Sequence, residues 1–72
     1  MTLTQARAQA SREISRPYRT AANRSTITYG LSAKRAGGYR EQTDVGTYRD
    51  ALAARREWIE QRAAELVELA IP

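Results

Sequence analysis

The first residues of the chain repeat apolar side chains at the spacing of a helix with one buried face. The apolar positions, three and four residues apart, are Leu3, Ala6, Ala10 and Ile14. This spacing predicts a helix over about residues 4–15, with Thr2 or Thr4 as its N-cap. Pro17 lacks a backbone N–H and disfavours helical geometry at the residue before it, so the helix is expected to end or kink there.

The period changes to two in the middle of the chain. Ile27, Tyr29 and Leu31 alternate with two threonines and a glycine, which is typical of a strand with one buried face. Residues 34–38 (KRAGG) can form a turn, and residues 39–43 (YREQT) can return as the partner strand. The sequence therefore predicts a β-hairpin over residues 25–43. A lone hairpin is marginal in water, so it has to pack on a helix or pair with another chain.

No apolar period connects the first helix to this hairpin. Residues 17–24 (PYRTAANR) are mostly polar and include two turn-prone residues. We interpret them as a linker or one short helical turn that continues the basic N-terminal helix. The N-terminal helix and linker then occupy residues 1–24.

A second helix is predicted over residues 47–69. Thr47 followed by Asp50 resembles a capping box with a short acid in the place of glutamate. Its apolar seam, with a repeat of seven, consists of Leu52, Ile59 and Leu66, with Ala63 and Ala70 on the same stripe. Arg56 also falls on this stripe and is expected at its rim. Trp58 lies off the seam, so it either covers the edge of the core or is an exposed anchor in a subunit interface.

These elements predict an α+β fold in one small domain over residues 1–72, with the two helices packed beside the hairpin. The chain has 72 residues, and 13 of its hydrophobic residues are alanines, so the core is thin. It contains no cysteine for a disulfide, and without histidine or cysteine it lacks the usual zinc ligands. We therefore expect oligomerisation or docking on a larger assembly to stabilise it. No signal-peptide or membrane-spanning pattern is present, so we expect a soluble intracellular protein that is not bound to membranes.

Charge is distributed unevenly along the chain. The first forty residues contain a single acid, Glu13, and eight basic residues: Arg7, Arg12, Arg16, Arg19, Arg24, Lys34, Arg35 and Arg40. Arginine outnumbers lysine eleven to one, and its planar fork suits bidentate contacts with phosphate or carboxylate. Three interpretations stay open: a solvated basic face favoured by a GC-rich genome, a nucleic-acid contact, and a contact with acidic protein surfaces.

The C-terminal helix ends in acids. Glu65 and Glu68 lie in its last turns, where the helix dipole disfavours anions and where Arg62 is the last basic residue. We hypothesise that this acidic end meets the basic half of a neighbouring copy. Such a head-to-tail contact closes into a ring if the rotation between copies permits it.

The residue types argue against an enzyme. Without histidine or cysteine the chain lacks the common general base and thiol nucleophile. Gly37 and Gly38 lack the spacing of a phosphate-binding loop, and the glutamate pairs of the second helix read as ordinary surface partners of arginine. We predict no catalytic residue, no cofactor, no metal site and no small-molecule substrate.

The order of elements resembles the small head-completion (W protein) family of lambda-like tailed phages. The resemblance rests on Ile27-Thr28-Tyr29-Gly30, on the basic glycine turn at 34–38, and on the strand exit at 43–48 followed by Arg49-Asp50-Ala51-Leu52. It covers roughly residues 25–68. It implies a ring of copies in the virion neck, made in the host cytoplasm, that joins the portal to neck or tail proteins and helps to retain packaged double-stranded DNA.

The resemblance also marks candidate residues. Those that would face DNA or the portal are Arg7, Arg12, Arg16, Arg19 and Arg24, with Lys34 and Arg35 as further candidates. The subunit-interface candidates are Trp58, Glu65 and Glu68. The competing class is a small basic DNA-binding protein, either a regulator or a nucleoid-type factor, and a third class is an antitoxin or adaptor that folds on a partner.

Overall fold

The computed structural model describes residues 1–22, 27–35 and 38–70. The elements in chain order are α1 (Leu3–Glu13), β1 (Tyr18–Ala22), β2 (Ile27–Arg35), β3 (Gly38–Gly46) and α2 (Tyr48–Leu69). The strands form one antiparallel sheet in the order β1-β2-β3. The predicted α+β class is confirmed. The molecule is elongated, with extents of 52 × 22 × 13 Å.

Both helices begin at a threonine with a reciprocal capping box. The Thr2 hydroxyl accepts from the Gln5 backbone N–H at 3.2 Å, and the Gln5 side chain accepts from the Thr2 N–H at 2.9 Å. Thr47 and Asp50 make the same two bonds at the start of α2. Each box satisfies two backbone donors that a helix start leaves without partners. The helix predicted over 47–69 is therefore present from Tyr48, with Thr47 as its N-cap.

The interpretation of residues 17–24 as a linker is wrong for Tyr18–Ala22, which forms strand β1. The chain leaves α1 at Ile14, whose backbone is extended, and then runs along β2. The Ser15 N–H donates to the Ser32 carbonyl at 2.7 Å, and the Ser15 hydroxyl accepts from the Ser32 N–H at 2.9 Å. These bonds end α1 two residues before the predicted 15 and align β1 with β2, so the predicted hairpin becomes a three-stranded sheet.

The sheet changes register beside Gly30. β3 has extra residues between the positions opposite Tyr29 and Leu31, and Asp44 within them has a φ of 56°. The Asp44 carboxylate accepts from the Thr20 hydroxyl at 3.1 Å and from the Thr28 hydroxyl at 2.9 Å, which joins all three strands. These bonds hold a backbone conformation that costs a non-glycine residue energy. The second hairpin strand therefore extends to Gly46, beyond the predicted 43.

The core consists of two small clusters along α2. Ala6 and Ala10 of α1 pack against Ala63 and Leu66, and the small alanine side chains let the helices approach closely. In the second cluster Trp58 packs with Ile14, Leu31 and Ala33. Trp58 is only 4 % exposed, so it is a core residue, and its prediction as an exposed interface anchor is wrong. The alternation of strand β2 correctly places Leu31 on the buried face.

The buried stripe of α2 departs from the predicted seam at its start. Ala51, Trp58, Ala63 and Leu66 are the buried residues of α2, and Ile59 packs beside them. Leu52 is 38 % exposed, and Arg56 is exposed as well. The period of seven marked the correct side of the helix, but α1 covers only part of that side.

We predict that the sheet loses stability when any side chain replaces Gly30. A Cβ atom at this position would lie 2.6 Å from the Thr20 Cγ2 atom and 2.8 Å from the Gln42 backbone oxygen. We expect Gly30→Ala to destabilise the fold by about 1–3 kcal/mol, because the strand backbone cannot move aside freely. Urea unfolding measures this loss. The double variant Gly30→Ala/Thr20→Ser lacks the clashing methyl group and should recover part of it; a fully stable Gly30→Ala variant would contradict the observed packing.

Tyr18 gives the sheet a pH dependence at alkaline pH. Its hydroxyl donates to the Glu41 carboxylate at 2.7 Å, and this bond raises the pKa of Tyr18 to about 12. A raised pKa means that the stabilisation is fully present below the ordinary tyrosine value of about 10 and is lost as the pH rises through about 12. Thermal unfolding between these pH values should show a smaller decline in Tyr18→Phe than in the unmodified chain. Equal declines would contradict this assignment.

Candidate assembly surfaces

Two arginines of α2 hold the C-terminal end of α1. The Arg55 guanidinium donates to the backbone carbonyl of Ser15 at 3.0 Å and to that of Ser11 at 3.1 Å. A helix end leaves its last carbonyls without partners and carries partial negative charge, so a cation is favoured there. Arg62 binds Glu13 through Nε and Nη2, the latter at 3.0 Å. We call Arg55 and Arg62 the α1 clamp.

The Arg62–Glu13 pair is largely withdrawn from water. The side chains are 12 % and 18 % exposed, and the hydrogen bond to Glu13 raises the pKa of Arg62 above its ordinary value. Arg62 also donates to Glu65 at 3.1 Å, the helix-surface pair that the sequence predicted. Glu13 is the single acid of the first forty residues, and this contrast of charge was the one signal that could have pointed to the clamp.

Two of the basic residues counted in the N-terminal half make contacts within the molecule. Arg7 pairs with Glu60 at 2.8 Å, and both side chains are about half exposed. The Arg40 guanidinium lies 4.3 Å from the Trp58 ring centroid, a cation–π contact that covers the indole from the β3 side. These contacts are intramolecular, so Arg7 is a weaker candidate for a DNA or portal contact than its exposure suggests.

The other basic candidates lie on separate elements. Arg12 is on α1, Arg16 is in the connection to β1, Arg19 is on β1 and Lys34 is at the end of β2. All four are exposed, and within the described ranges none makes an ion pair or a side-chain hydrogen bond. Arg24 and the side chain of Arg35 lie outside the described residues. The predicted basic candidates among the described residues therefore come from four different segments of the chain.

The acidic candidates share one end of the molecule. Glu65, Glu68 and Leu69 line an open depression at the end of α2, whose last turn has no basic residue. Glu65 accepts from Arg62, so its negative charge is partly offset within the chain. Leu69 is 75 % exposed. The C-terminal end of α1 lies beside Arg55 and Arg62, so its start, with the exposed Leu3, lies toward the C-terminal end of α2. We call Leu3, Glu68 and Leu69 the helix tip.

Metal-ligating side chains are not clustered in the described residues. No group of three or more acidic, histidine or cysteine side chains in this part of the chain could hold a metal ion. No helix among the described residues is long and apolar enough to cross a membrane. The exposed charged and apolar side chains described above are of the kind that can take part in recognition.

The α1 clamp should contribute more to stability than the exposed ion pair. Arg62→Met removes the partner of a largely buried carboxylate, so we expect a loss of about 2–3 kcal/mol in the free energy of unfolding. Arg7→Met breaks the half-exposed pair and should cost less than about 1 kcal/mol. Urea unfolding of the two variants compares them directly. Equal losses would show that the burial of the Glu13 pair has no energetic consequence.

Comparisons with known proteins give the chain no relatives. No family model matches it, and no curated protein or solved structure matches it either.

Proposed function

We propose that this chain is a non-enzymatic structural protein of a tailed-phage-like particle. It joins the head portal to neck or tail proteins as a ring of copies and helps to retain the packaged DNA. The proposal places it in the virion neck after synthesis in the host cytoplasm. It follows the resemblance of residues 25–68 to head-completion proteins. The physical observation that carries it is that the apolar side chains of this elongated domain are only partly buried.

The thin core supports a role in an assembly. Leu31 is the one large side chain that is fully buried in the described chain, and several large apolar side chains stay exposed at the two ends of α2. An elongated domain with this little buried surface gains stability by burying its ends against neighbours. Exposed apolar surface rimmed by charge is typical of protein interaction sites.

The charges favour contact between copies in a head-to-tail manner. The helix tip is acidic, whereas Arg12, Arg16, Arg19 and Lys34 are exposed basic residues without partners among the described residues. An interface between two different surfaces of the same chain produces a ring when its rotation closes. In such a ring, basic side chains left outside the subunit contact are available to DNA or to the portal.

A charge reversal at the helix tip tests the proposal. Glu68 is exposed and makes no ion pair among the described residues, so Glu68→Arg changes the tip without disturbing the α1 clamp. We expect at least tenfold weaker self-association, about 1.4 kcal/mol, in sedimentation experiments with the chain alone and with a candidate portal. The control is Glu57→Arg, the same change at an exposed position in the middle of α2. If the unmodified chain is monomeric and does not bind the portal, the proposal is contradicted.

The alternative function is that of a small basic DNA-binding protein. It is supported by the exposed basic residues of the N-terminal half that have no partner among the described residues: Arg12, Arg16, Arg19 and Lys34. If they neutralise four phosphates, the logarithm of the binding constant for duplex DNA should fall with the logarithm of salt concentration at a slope of about −4. Tight duplex binding with this slope by a monomeric chain would favour the alternative over the connector.

A further inference from the structure

The apolar face of α2 continues beyond the end of α1. α1 has 11 residues and α2 has 22, so α1 is about 17 Å long and can cover only half of the roughly 33 Å of α2. The α1 clamp fixes where α1 ends, because Arg62 and Arg55 bind its last residues. α1 therefore does not reach the first turns of α2, which the sheet covers only in part: Ala51 is buried, whereas Tyr48 and Leu52 stay exposed.

This face forms a continuous patch with the sheet. Leu52 is 38 % exposed, and Tyr48, one helical turn before it, is about half exposed. The Tyr48 ring meets the Tyr29 ring edge to face at a centroid distance of 5.3 Å. Ile27 is exposed two residues before Tyr29, on the same side of strand β2. We call Ile27, Tyr29, Tyr48 and Leu52 the sheet-end patch.

Arginines surround the sheet-end patch. Arg49 and Arg56 lie three residues before and four residues after Leu52, which places both on its side of the helix. Arg19 lies opposite Tyr29 in the pairing of β1 with β2. All three are exposed and make no ion pair or side-chain hydrogen bond within the described residues. The patch is therefore apolar and aromatic at its centre and positive at its rim.

The helix tip has the complementary character. Its apolar side chains are Leu3 and Leu69, and Glu68 supplies negative charge beside them. The tip lies where α2 ends and the patch lies where α2 begins, so the helix of 22 residues separates them within one molecule. They cannot meet in the same copy, and only a second copy can bring them together.

We infer that the sheet-end patch of one copy binds the helix tip of the next. The inference rests on the self-association in the proposed function. It differs in the surface that binds the helix tip, which is the first turns of α2 and not the N-terminal arginines. Leu69 and Leu3 pack on Leu52 and Tyr48, while Glu68 approaches Arg49 and Arg56. Because tip and patch differ, the contact is heterologous and propagates in one direction into a ring or filament.

Two variants, each blocked at one end, test the pairing. Glu68→Arg/Leu69→Arg makes the tip basic and keeps the patch, whereas Leu52→Arg blocks the patch and keeps the tip. Each variant alone should stay monomeric, and their mixture should form a complex of one copy of each and no longer species. Sedimentation measures these masses, and circular dichroism confirms that both variants are folded.

The outcomes separate this inference from the proposed function. If Leu52→Arg assembles like the unmodified chain while the tip variant does not, the tip binds elsewhere, and only the inference is overturned. If Arg49→Glu/Arg56→Glu loses affinity for duplex DNA but assembles normally, the patch is a nucleic-acid surface, and the inference is again overturned. If the unmodified chain is monomeric but binds the portal, only the inference is overturned; if it also fails to bind the portal, both are overturned.

Cysteine pairs report the contact directly, because the chain has no cysteine of its own. Leu52→Cys and Leu69→Cys, mixed in equal amounts with oxidised glutathione as the oxidant, should form a covalent dimer with one copy of each. A disulfide needs Cα atoms within about 7 Å, so it forms efficiently only if tip and patch meet. Dimers that form as fast in either variant alone as in the mixture would overturn the pairing.

Discussion

The attachment of the C-terminal end of α1 to α2 determines the rest of the structure. Arg55 binds the last carbonyls of α1, and Arg62 binds Glu13. With that end fixed, Ile14 packs on Trp58, and Ser15 pairs with Ser32 at the edge of β2. β1 then continues along β2, so one polar attachment orients both the helix pair and the sheet. It also sets the point on α2 beyond which α1 no longer covers the helix.

Polar contacts determine the positions of α1 and the sheet because the apolar core is small. Most buried residues of α1 and α2 are alanines, which allow close packing but remove little surface from water. A largely buried ion pair is not in itself a strong source of stability, yet breaking it leaves a charge without compensation. The Glu13–Arg62 pair therefore acts mainly by specifying the position of α1. It adds less to the total free energy of unfolding. In the proposed assembly, further stabilisation comes from contacts between copies.

The sequence predicted the elements whose signals are local. The capping residues and the alternation around Leu31 define α2 and β2 without knowledge of tertiary contacts. Strand β1 escaped prediction because Tyr18–Ala22 has no apolar alternation, and its pairing depends on a bend at Ile14 that distant arginines hold. Charge asymmetry singled out the basic residues as candidates, but only the fold assigns Arg7 and Arg40 to internal partners. The period of seven could not reveal that Leu52 lies beyond the reach of α1.

The arginines therefore fall into two groups with different consequences. Those held by carbonyls, carboxylates or the indole are part of the fold, and a partner could recruit them only by breaking these contacts. Arg49 and Arg56 keep their charge available beside the exposed Leu52, whereas Arg12 and Lys34 lie on separate elements. A phosphate backbone binds wherever basic side chains follow its path, but a protein surface also requires apolar area that water leaves on contact. The sheet-end patch meets that second requirement, which favours the proposed assembly over DNA binding.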